Sequence, residues 1–171
     1  MSGRFAITRD GHVAIVGLAG SGGKPVMDGA FFAELRETFT ALDRDAEVRA
    51  IVVTGSGGHF SFGLDLAEAA GTFGSLGQRP GAAGRAEFLE LIRDWQATVS
   101  AVAACRKPTI AAIEGWCIGG GVDLASACDV RIATVDAKFS IREAKVAIVA
   151  DLGSLQRLVG IIGDGHLREL A

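Results

Sequence analysis

Hydrophobic and polar positions along the chain follow two periodicities, one typical of strands and one typical of helices. Residues 5–8 and 13–16 are β-rich runs on either side of Asp10-Gly11, and this dipeptide is a strong signal for a hairpin turn. Continuous apolar runs predict three further strands, at Ala50–Thr54, Thr109–Ile113 and Val130–Ala133.

Apolar residues at helical spacing predict the helices between these strands. Phe31, Leu35, Phe39 and Leu42 share one helix face, and Asp28 precedes them as the predicted N-cap. Further helices are predicted over residues 88–102, from residue 119 to Ala127, and over residues 152–162, with residues 165–171 beginning another. Residues 71–84 are rich in glycine and poor in large apolar residues, which predicts a mobile surface loop. Strands that alternate with helices indicate a single α/β domain over residues 1–171.

The composition is that of a globular domain with an unusual glycine content, 24 of 171 residues. A formal net charge of −3 without a basic stripe argues against nucleic acid as a partner. The apolar stretches are far shorter than the ~20 residues that cross a bilayer, and no signal peptide is recognisable, so we expect no membrane partner. Three cysteines without CxxC spacing are expected to be buried free thiols in a reducing compartment, and the expected location is cytoplasmic or in an organelle matrix.

Several familiar site patterns are absent from the sequence. Leu18 and Pro25 stand where a P-loop around Lys24 needs glycine and serine or threonine. The glycine runs from Gly20 and Gly55 do not match GxGxxG, and no serine lies in a GxSxG elbow. No His, Cys or carboxylate pair has metal-ligand spacing, so we expect no metal and no bound cofactor.

Gly119-Gly120-Gly121-Val122-Asp123 joins a predicted strand to a predicted helix. Unpaired backbone N–H groups at a helix N-terminus attract negative charge, and glycine lets a ligand oxygen approach them closely. The segment therefore suits an anion or a developing oxyanion. The alternative is a tight strand-to-helix turn in which Asp123 helps to cap the first helical turn.

A longer motif surrounds these glycines, KPTIAAIEGWCIGGG at residues 107–121, and continues to Asp129. Upstream stand RAIVVTG at residues 49–55 and FSFGLDL at residues 60–66, in a matching order and separation. Together these segments resemble the crotonase family, also called the enoyl-CoA hydratase/isomerase superfamily. The resemblance covers nearly everything from the first hairpin to Ala171, and the family's C-terminal trimerisation helices are expected to be absent.

The resemblance implies a crotonase-like spiral of ββα turns with layered sheets and flanking helices, which binds an acyl-CoA thioester and stabilises its enolate. The acyl-CoA is the expected substrate and partner, and a full-length chain is expected to form a homotrimer or hexamer. The family's two backbone oxyanion donors map to Phe62 and Gly120, and each such donor is worth about 3–4 kcal/mol. The expected contacts with CoA and substrate are Lys24, Ser61, Phe62, Leu64, Asp65, Trp116, Gly119 and Gly120.

Three acids carry the finer resemblance. Family hydratases use two glutamates, whose positions match Asp123 and Glu143 here. In the Δ3,5-Δ2,4-dienoyl-CoA isomerases the first acid is an aspartate and a third lies eight residues after the second, where this chain has Asp151. The resemblance therefore implies an isomerase in which Asp151 takes the C2 proton, Glu143 delivers one at C6 and Asp123 assists. Acids crowded in an apolar pocket do not all ionise easily, so at least one is expected to stay protonated.

Three alternatives remain open on the sequence alone. Asp151 stands just before Leu152 and would serve as the N-cap of a helix that begins there. In that case the chain would be an enoyl-CoA hydratase that uses only Asp123 and Glu143. If the C-terminal helices are needed for catalysis, the chain would be a non-catalytic acyl-CoA-binding subunit.

Overall fold

The computed structural model describes residues 3–19, 24–77 and 81–171. The described residues form nine strands: β1 (Phe5–Asp10), β2 (Val13–Leu18), β3 (Val26–Met27), β4 (Ala50–Thr54), β5 (Gly63–Leu64), β6 (Thr109–Ile113), β7 (Trp116–Ile118), β8 (Val130–Ala133) and β9 (Lys138–Ser140). They form five α-helices: α1 (Gly29–Arg44), α2 (Leu66–Gly77), α3 (Ala82–Ala103), α4 (Gly120–Ala127) and α5 (Ser154–Leu170). A short 3₁₀ helix (Glu143–Val146) lies between β9 and α5.

Five strands form the main sheet in the order β1-β2-β4-β6-β8. β1 and β2 are the predicted antiparallel hairpin, with Gly11 at φ +54° in its turn. The other neighbours in this sheet, β2 with β4, β4 with β6 and β6 with β8, run parallel. Parallel neighbours require a crossover connection, which here contains a short strand and at least one helix.

The short strands form two further parallel pairs. β3 pairs with β5 and β7 with β9, each in parallel, and a bridge between Ser61 and Cys117 links the two pairs. From β2 onward the chain repeats a long strand, a short strand and a helical segment. Because each long strand joins the sheet beside the previous one, the repeat forms the expected spiral of ββα turns.

One hydrophobic core joins the main sheet to its helices. α1 buries the predicted face of Phe31, Leu35, Phe39 and Leu42, and β4 buries alternate residues. Asp28 caps α1 as predicted, because its Oδ1 accepts the Phe31 N–H at 2.8 Å. α4 is buried along its whole length, so any polar side chain on it is surrounded by protein.

The loop predicted over residues 71–84 is wrong. α2 continues to Gly77 and α3 begins at Ala82, and residues 78–80 lie outside the described residues. Phe73 of α2 packs against Phe88 and Trp95 of α3, with ring centroids 5.2 and 6.1 Å apart. Tertiary packing of this kind offsets the helix cost of about 1 kcal/mol for each glycine, and composition alone does not reveal it.

α5 begins at Ser154, two residues later than predicted, and continues to Leu170. Gly163 has non-helical angles, with φ at 79° and ψ at 160°, and kinks the helix. The helix predicted to begin at residue 165 is therefore the segment of α5 that follows this kink.

Candidate active site

The glycine run at the start of α4 allows close contacts that a side chain would prevent. A Cβ on Gly119 would lie 3.2 Å from Oε1 of Glu143, and one on Gly121 would lie 2.7 Å from Cβ of Ser61. Gly120 is the first residue of α4, and helix geometry provides no acceptor for its N–H. In the part of the chain that the structure describes, this N–H has no backbone acceptor elsewhere.

Asp123 lies one turn into α4 and is 1% exposed. Its Oδ1 accepts the backbone N–H of Ser154, the first residue of α5, at 2.7 Å. Burial raises the pKa of the Asp123 carboxyl above its ordinary value, although the bond from Ser154 and the charge of Arg157 act in the opposite direction. The carboxyl is thus fixed in place by α5 and inclined to stay protonated.

Glu143 begins the 3₁₀ helix that follows β9. Its Oε2 is buried and has no hydrogen-bond partner among the described residues. Burial raises the pKa of the Glu143 carboxyl, and the charges of Asp123 and Asp151 raise it further. A buried carboxyl oxygen with no protein partner is available to a substrate or a water molecule.

Asp151 stands two residues before the N-cap of α5, and its backbone carbonyl accepts a hydrogen bond from Nε2 of Gln96 at 3.0 Å. The N-cap is Gly153, and the side chain that caps the helix is that of Asp123. The alternative of Asp151 as the helix cap is therefore wrong. Partial burial raises the pKa of the Asp151 carboxyl, even though the residue as a whole is exposed.

The three acids line one cavity of about 270 Å³. Its other walls are apolar apart from the backbone of Gly120: Met27, Phe32, Leu64, Phe73, Phe88, Ile92, Trp95, Ile148, Val149 and Leu152. We call this space the acid cavity. The structure thus brings together Asp123, Glu143, Asp151 and the N–H of Gly120, which sequence reasoning had named from separate segments.

A second cavity of about 310 Å³ adjoins the acid cavity. The two share the lining residues Leu64, Gly120, Glu143 and Ile148. The second cavity also reaches Phe62, Gly119 and the basic residues Arg142 and Lys145. A ligand that enters here passes the N-terminus of α4 before it meets the acids.

The Phe62 N–H is not free to act as an oxyanion donor. It donates to the carbonyl of Pro25 at 2.9 Å, and the Asp65 N–H donates to Met27 at 2.8 Å. Successive N–H groups of an extended chain point in opposite directions, so the N–H of Leu64 points away from β3. A Cβ placed on Gly120 would lie 4.0 Å from this Leu64 nitrogen. The Phe62 N–H is therefore occupied, and the Leu64 N–H, beside Gly120, is the alternative candidate for the second donor.

The side chains of two other expected ligand contacts, Ser61 and Asp65, hold the local structure. Ser61 is fully buried, and its Oγ donates to Pro25 O and accepts the Gly63 N–H, both at 3.0 Å. Oδ1 of Asp65 accepts the N–H groups of Ala67 and Glu68, and so caps α2. Neither side chain lines a cavity that also reaches the acids.

Trp116 and Lys24 also lie apart from the acids. Neither is among the residues that line the acid cavity or the adjoining cavity. The Trp116 ring is covered by Nζ of Lys138, 4.9 Å from the ring centroid. Phe62, Leu64, Gly119 and Gly120 do line these cavities, so they are the members of the expected CoA and substrate set that the structure places beside the acids.

The remaining candidate chemistry is limited. In residues 3–19, 24–77 and 81–171, no group of three or more His, Cys, Asp or Glu side chains is arranged to hold a metal ion. No helix in these ranges is long and apolar enough to cross a membrane.

Cys117 and Cys128 are buried and unpaired, and burial raises the pKa of the Cys128 thiol to about 12. These thiols are therefore unreactive at neutral pH.

Sequence reasoning did not place the four aromatic residues Phe32, Phe73, Phe88 and Trp95 together at the acid cavity. Phe73 fell in the predicted loop, and Met27 lies in a strand of two residues that is too short to show a period. The spacing of Leu66, Ala69 and Phe73 was an available signal for α2, because these residues share one helix face. The neighbouring glycines made this helical spacing hard to recognise.

An apolar cavity lined by three acids and by the backbone of Gly120 is typical of a site for acid/base chemistry. The family model described as enoyl-CoA hydratase/isomerase matches residues 13–171. A mitochondrial Δ3,5-Δ2,4-dienoyl-CoA isomerase from Dictyostelium discoideum is 41% identical over 145 residues, which cover 85% of this chain and 50% of that protein. The peroxisomal protein of the same name from Arabidopsis thaliana is 46% identical over 143 residues, 82% of this chain and 51% of that protein.

Other relatives carry the name of the hydratase. A "Probable enoyl-CoA hydratase" from Mycobacterium tuberculosis is 35% identical over 165 residues, 96% of this chain and 59% of that protein. An enoyl-CoA hydratase/isomerase structure from Marinobacter aquaeolei is 28% identical with a TM-score of 0.84, covering 98% of this chain and 62% of that chain. A structure from Thermobifida fusca that holds acetoacetyl-CoA is 28% identical with a TM-score of 0.78, covering 98% and 65%.

The chain belongs to the enoyl-CoA hydratase/isomerase, or crotonase, family. The expected fold is confirmed by these solved structures and by the spiral of ββα turns. The chain spans about half the length of these two dienoyl-CoA isomerases.

Proposed function

We propose that the chain carries the catalytic core of an acyl-CoA isomerase that converts 3,5-dienoyl-CoA to 2,4-dienoyl-CoA. The observation that carries the proposal is the position of Asp151, which lines the acid cavity with Asp123 and Glu143 and does not cap α5. The relatives named as Δ3,5-Δ2,4-dienoyl-CoA isomerases support the same reaction.

The proposed reaction moves a proton and leaves the oxidation state unchanged. Ionised Asp151 takes a proton from C2, and the electron pair of that bond forms an enolate with its charge on the thioester oxygen. Protonated Glu143 then donates a proton to C6. The double bonds at C3–C4 and C5–C6 become double bonds at C2–C3 and C4–C5, and one proton exchange with solvent restores both acids.

The three acids differ in what surrounds them, which supports different roles. The raised pKa of Glu143 favours the protonated form that a donor needs. Asp123 is fixed by the Ser154 N–H and is too deeply buried to exchange protons with solvent readily. Its part in the proposal is to hold the turn before α5, and with it Asp151, beside the substrate.

The enolate oxygen is proposed to bind between the N–H groups of Gly120 and Leu64. Both residues line the acid cavity and the adjoining cavity, so they flank the place where the two meet. Gly120 also adds the positive end of the α4 dipole. Loss of one such donor typically lowers kcat by about 10²–10³.

A second candidate is enoyl-CoA hydration, in which Asp123 and Glu143 position a water. The buried Oε2 of Glu143, which has no protein partner among the described residues, favours it because it is free to hold that water. The name of the Mycobacterium tuberculosis relative points the same way.

One pair of assays separates the two reactions. The chain is mixed with 3,5-octadienoyl-CoA while the conjugated 2,4-dienoyl product is followed by ultraviolet absorbance, and trans-2-enoyl-CoA hydration is measured in parallel. We expect isomerisation that Asp151→Ala reduces by at least about 10²-fold, the scale of a lost general acid/base group. Asp164→Ala on the exposed side of α5 is the control and should leave the rate unchanged.

The other results each assign a different function. Hydration that survives Asp151→Ala, without isomerisation, would replace the proposal with the hydratase. No turnover of either substrate, together with acyl-CoA binding in calorimetry, would leave the role of an acyl-CoA-binding subunit.

A further inference from the structure

Four aromatic side chains line the acid cavity, and they come from three helices: Phe32 from α1, Phe73 from α2, and Phe88 and Trp95 from α3. We call them the aromatic wall. None of the four lines the adjoining cavity, which shares only Leu64, Gly120, Glu143 and Ile148 with the acid cavity. The aromatic wall therefore lies away from the junction where the proposed enolate oxygen binds.

Half of this wall is rigid. Phe32 and Trp95 are 2% and 8% exposed, and their rings stack with centroids 4.5 Å apart and planes 10° from parallel. Both belong to the hydrophobic core. Core side chains are close-packed, so these two rings have little freedom to move aside for a longer ligand.

The other half of the aromatic wall consists of Phe73 and Phe88. Its ring contacts Phe88 edge-on at 5.2 Å and Trp95 at 6.1 Å, and so it bridges the rigid rings to the partly exposed Phe88. Phe73 itself is only partly buried. Phe73 is therefore a ring of the wall whose size can change without disturbing the stacked pair in the core.

We propose that Phe73 sets the length of the acyl chain, and that the substrate class is medium-chain acyl-CoA. This inference rests on the proposed function, because it takes the occupant of the acid cavity to be an acyl group. A dry cavity of about 150 Å³ holds benzene, so 270 Å³ accommodates roughly ten non-hydrogen atoms. An acyl group of about eight to ten carbons fills that space.

The test is calorimetric binding of saturated acyl-CoA thioesters from four to sixteen carbons, which needs no turnover. For the unchanged chain, affinity should rise about fourfold per added methylene and level off at about eight to ten carbons. Phe73→Ala should move the plateau to longer chains by about two to four carbons, and Phe73→Trp should move it to shorter ones. Opposite shifts from two variants exclude a general loss of folding.

Phe139→Ala is the matched control, because Phe139 is an exposed aromatic residue that lines a separate cavity between α4 and α5. It should leave the plateau where it is in the unchanged chain. The same plateau in all four proteins, or no binding at any length, would overturn the inference. A length plateau without turnover of any dienoyl-CoA would instead refute the isomerase proposal and leave the role of Phe73 in place.

Discussion

Asp123 on α4 accepts the backbone N–H of Ser154 on α5 at 2.7 Å, so an acid of the active site also caps a helix 31 residues further along the chain. The N-cap position itself is Gly153, at φ +112°, which offers no side chain. This bond holds the turn that precedes α5, and with it Asp151, against the acid cavity. The capping of α5 and the arrangement of the acid cavity thus depend on the same carboxyl group.

The cap can be measured by comparing two variants that both lack the charge. Asp123→Asn keeps an oxygen that accepts the Ser154 N–H, whereas Asp123→Ala removes it. We expect the asparagine variant to be more stable by about 1 kcal/mol, a typical value for a helix N-cap. Urea unfolding followed by circular dichroism measures the difference. Asp151→Asn and Asp151→Ala form the control pair and should agree within about 0.5 kcal/mol, because Asp151 caps nothing. An equal gap at both positions would contradict the assignment of the cap.

Glu143→Gln should stabilise the fold at neutral pH while it weakens catalysis. The raised pKa of Glu143 means that burial opposes its ionised form, and glutamine keeps the shape of the side chain without the charge. Because Glu143 is only half-buried, we expect a gain of about 1 kcal/mol, or 2–4 °C in Tm.

The pH dependence of this gain follows from the raised pKa of Glu143. Below the ordinary glutamate pKa the carboxyl is protonated in both the folded and the unfolded chain, so its burial carries no charge penalty. The penalty develops as the pH rises through the raised folded pKa. The advantage of Glu143→Gln should therefore be largest at neutral pH and vanish towards pH 4. A stability advantage of Glu143→Gln that grows as the pH falls would contradict the predicted direction of the pH dependence.

Asp28 should show the opposite pH dependence. Burial by itself raises its pKa, but the hydrogen bonds from Arg4 and the Phe31 N–H and the charge of Arg4 outweigh burial and lower it. A lowered folded pKa stabilises the fold above the ordinary value, and this stability is lost as the pH falls through the folded value. Asp28→Asn should cost about 2 kcal/mol at pH 7, and the difference should shrink below about pH 4. Chemical denaturation at several pH values tests this, with exposed Asp164→Asn as the control.

Gly63 should be essential to the oxyanion pair. It has φ +78°, and a Cβ there would lie 2.8 Å from the carbonyl oxygen of Ile118 and 3.3 Å from the nitrogen of Gly120. Gly63→Ala should therefore push β5 away from the start of α4 and separate the two donors. We expect kcat to fall by about 10²–10³ with a smaller change in KM. Gly58→Ala is the control, since Gly58 has φ +77° but no heavy atom within 4 Å of the Cβ position. Equal losses of activity would show that backbone strain alone explains the effect.

The main sheet and α1 could be predicted from the sequence because each is determined locally. The Asp10-Gly11 turn, the apolar runs of β4 and β6 and the Asp28 cap each involve residues close together in the chain. α2 could not be predicted in this way, since Phe73 packs on a helix that begins nine residues later, at Ala82. Helix propensity is a weak guide where a tertiary contact of this kind decides.

The site shows the same division. Asp123, Glu143, Asp151 and Gly120 were named from the motifs, and they do line one cavity. The motifs did not reveal that the Phe62 N–H is occupied, because side-chain motifs carry no information about the direction of an N–H group. That direction depends on which backbone N–H groups near Gly63 point towards β3. The two that do, those of Phe62 and Asp65, are three residues apart, whereas in a regular strand they would be two residues apart.

The sequence by itself determined the family, the order of strands and helices, and the residue types of the acid cluster, because these follow from local pattern and from motif spacing. Only the tertiary structure decided that Asp123 caps α5 and leaves Asp151 exposed to the cavity, that Leu64 faces Gly120, and that Phe73 joins the aromatic wall. Each of these contacts joins segments far apart in the chain. Their geometry is set by how whole elements pack, which no local pattern of residues encodes.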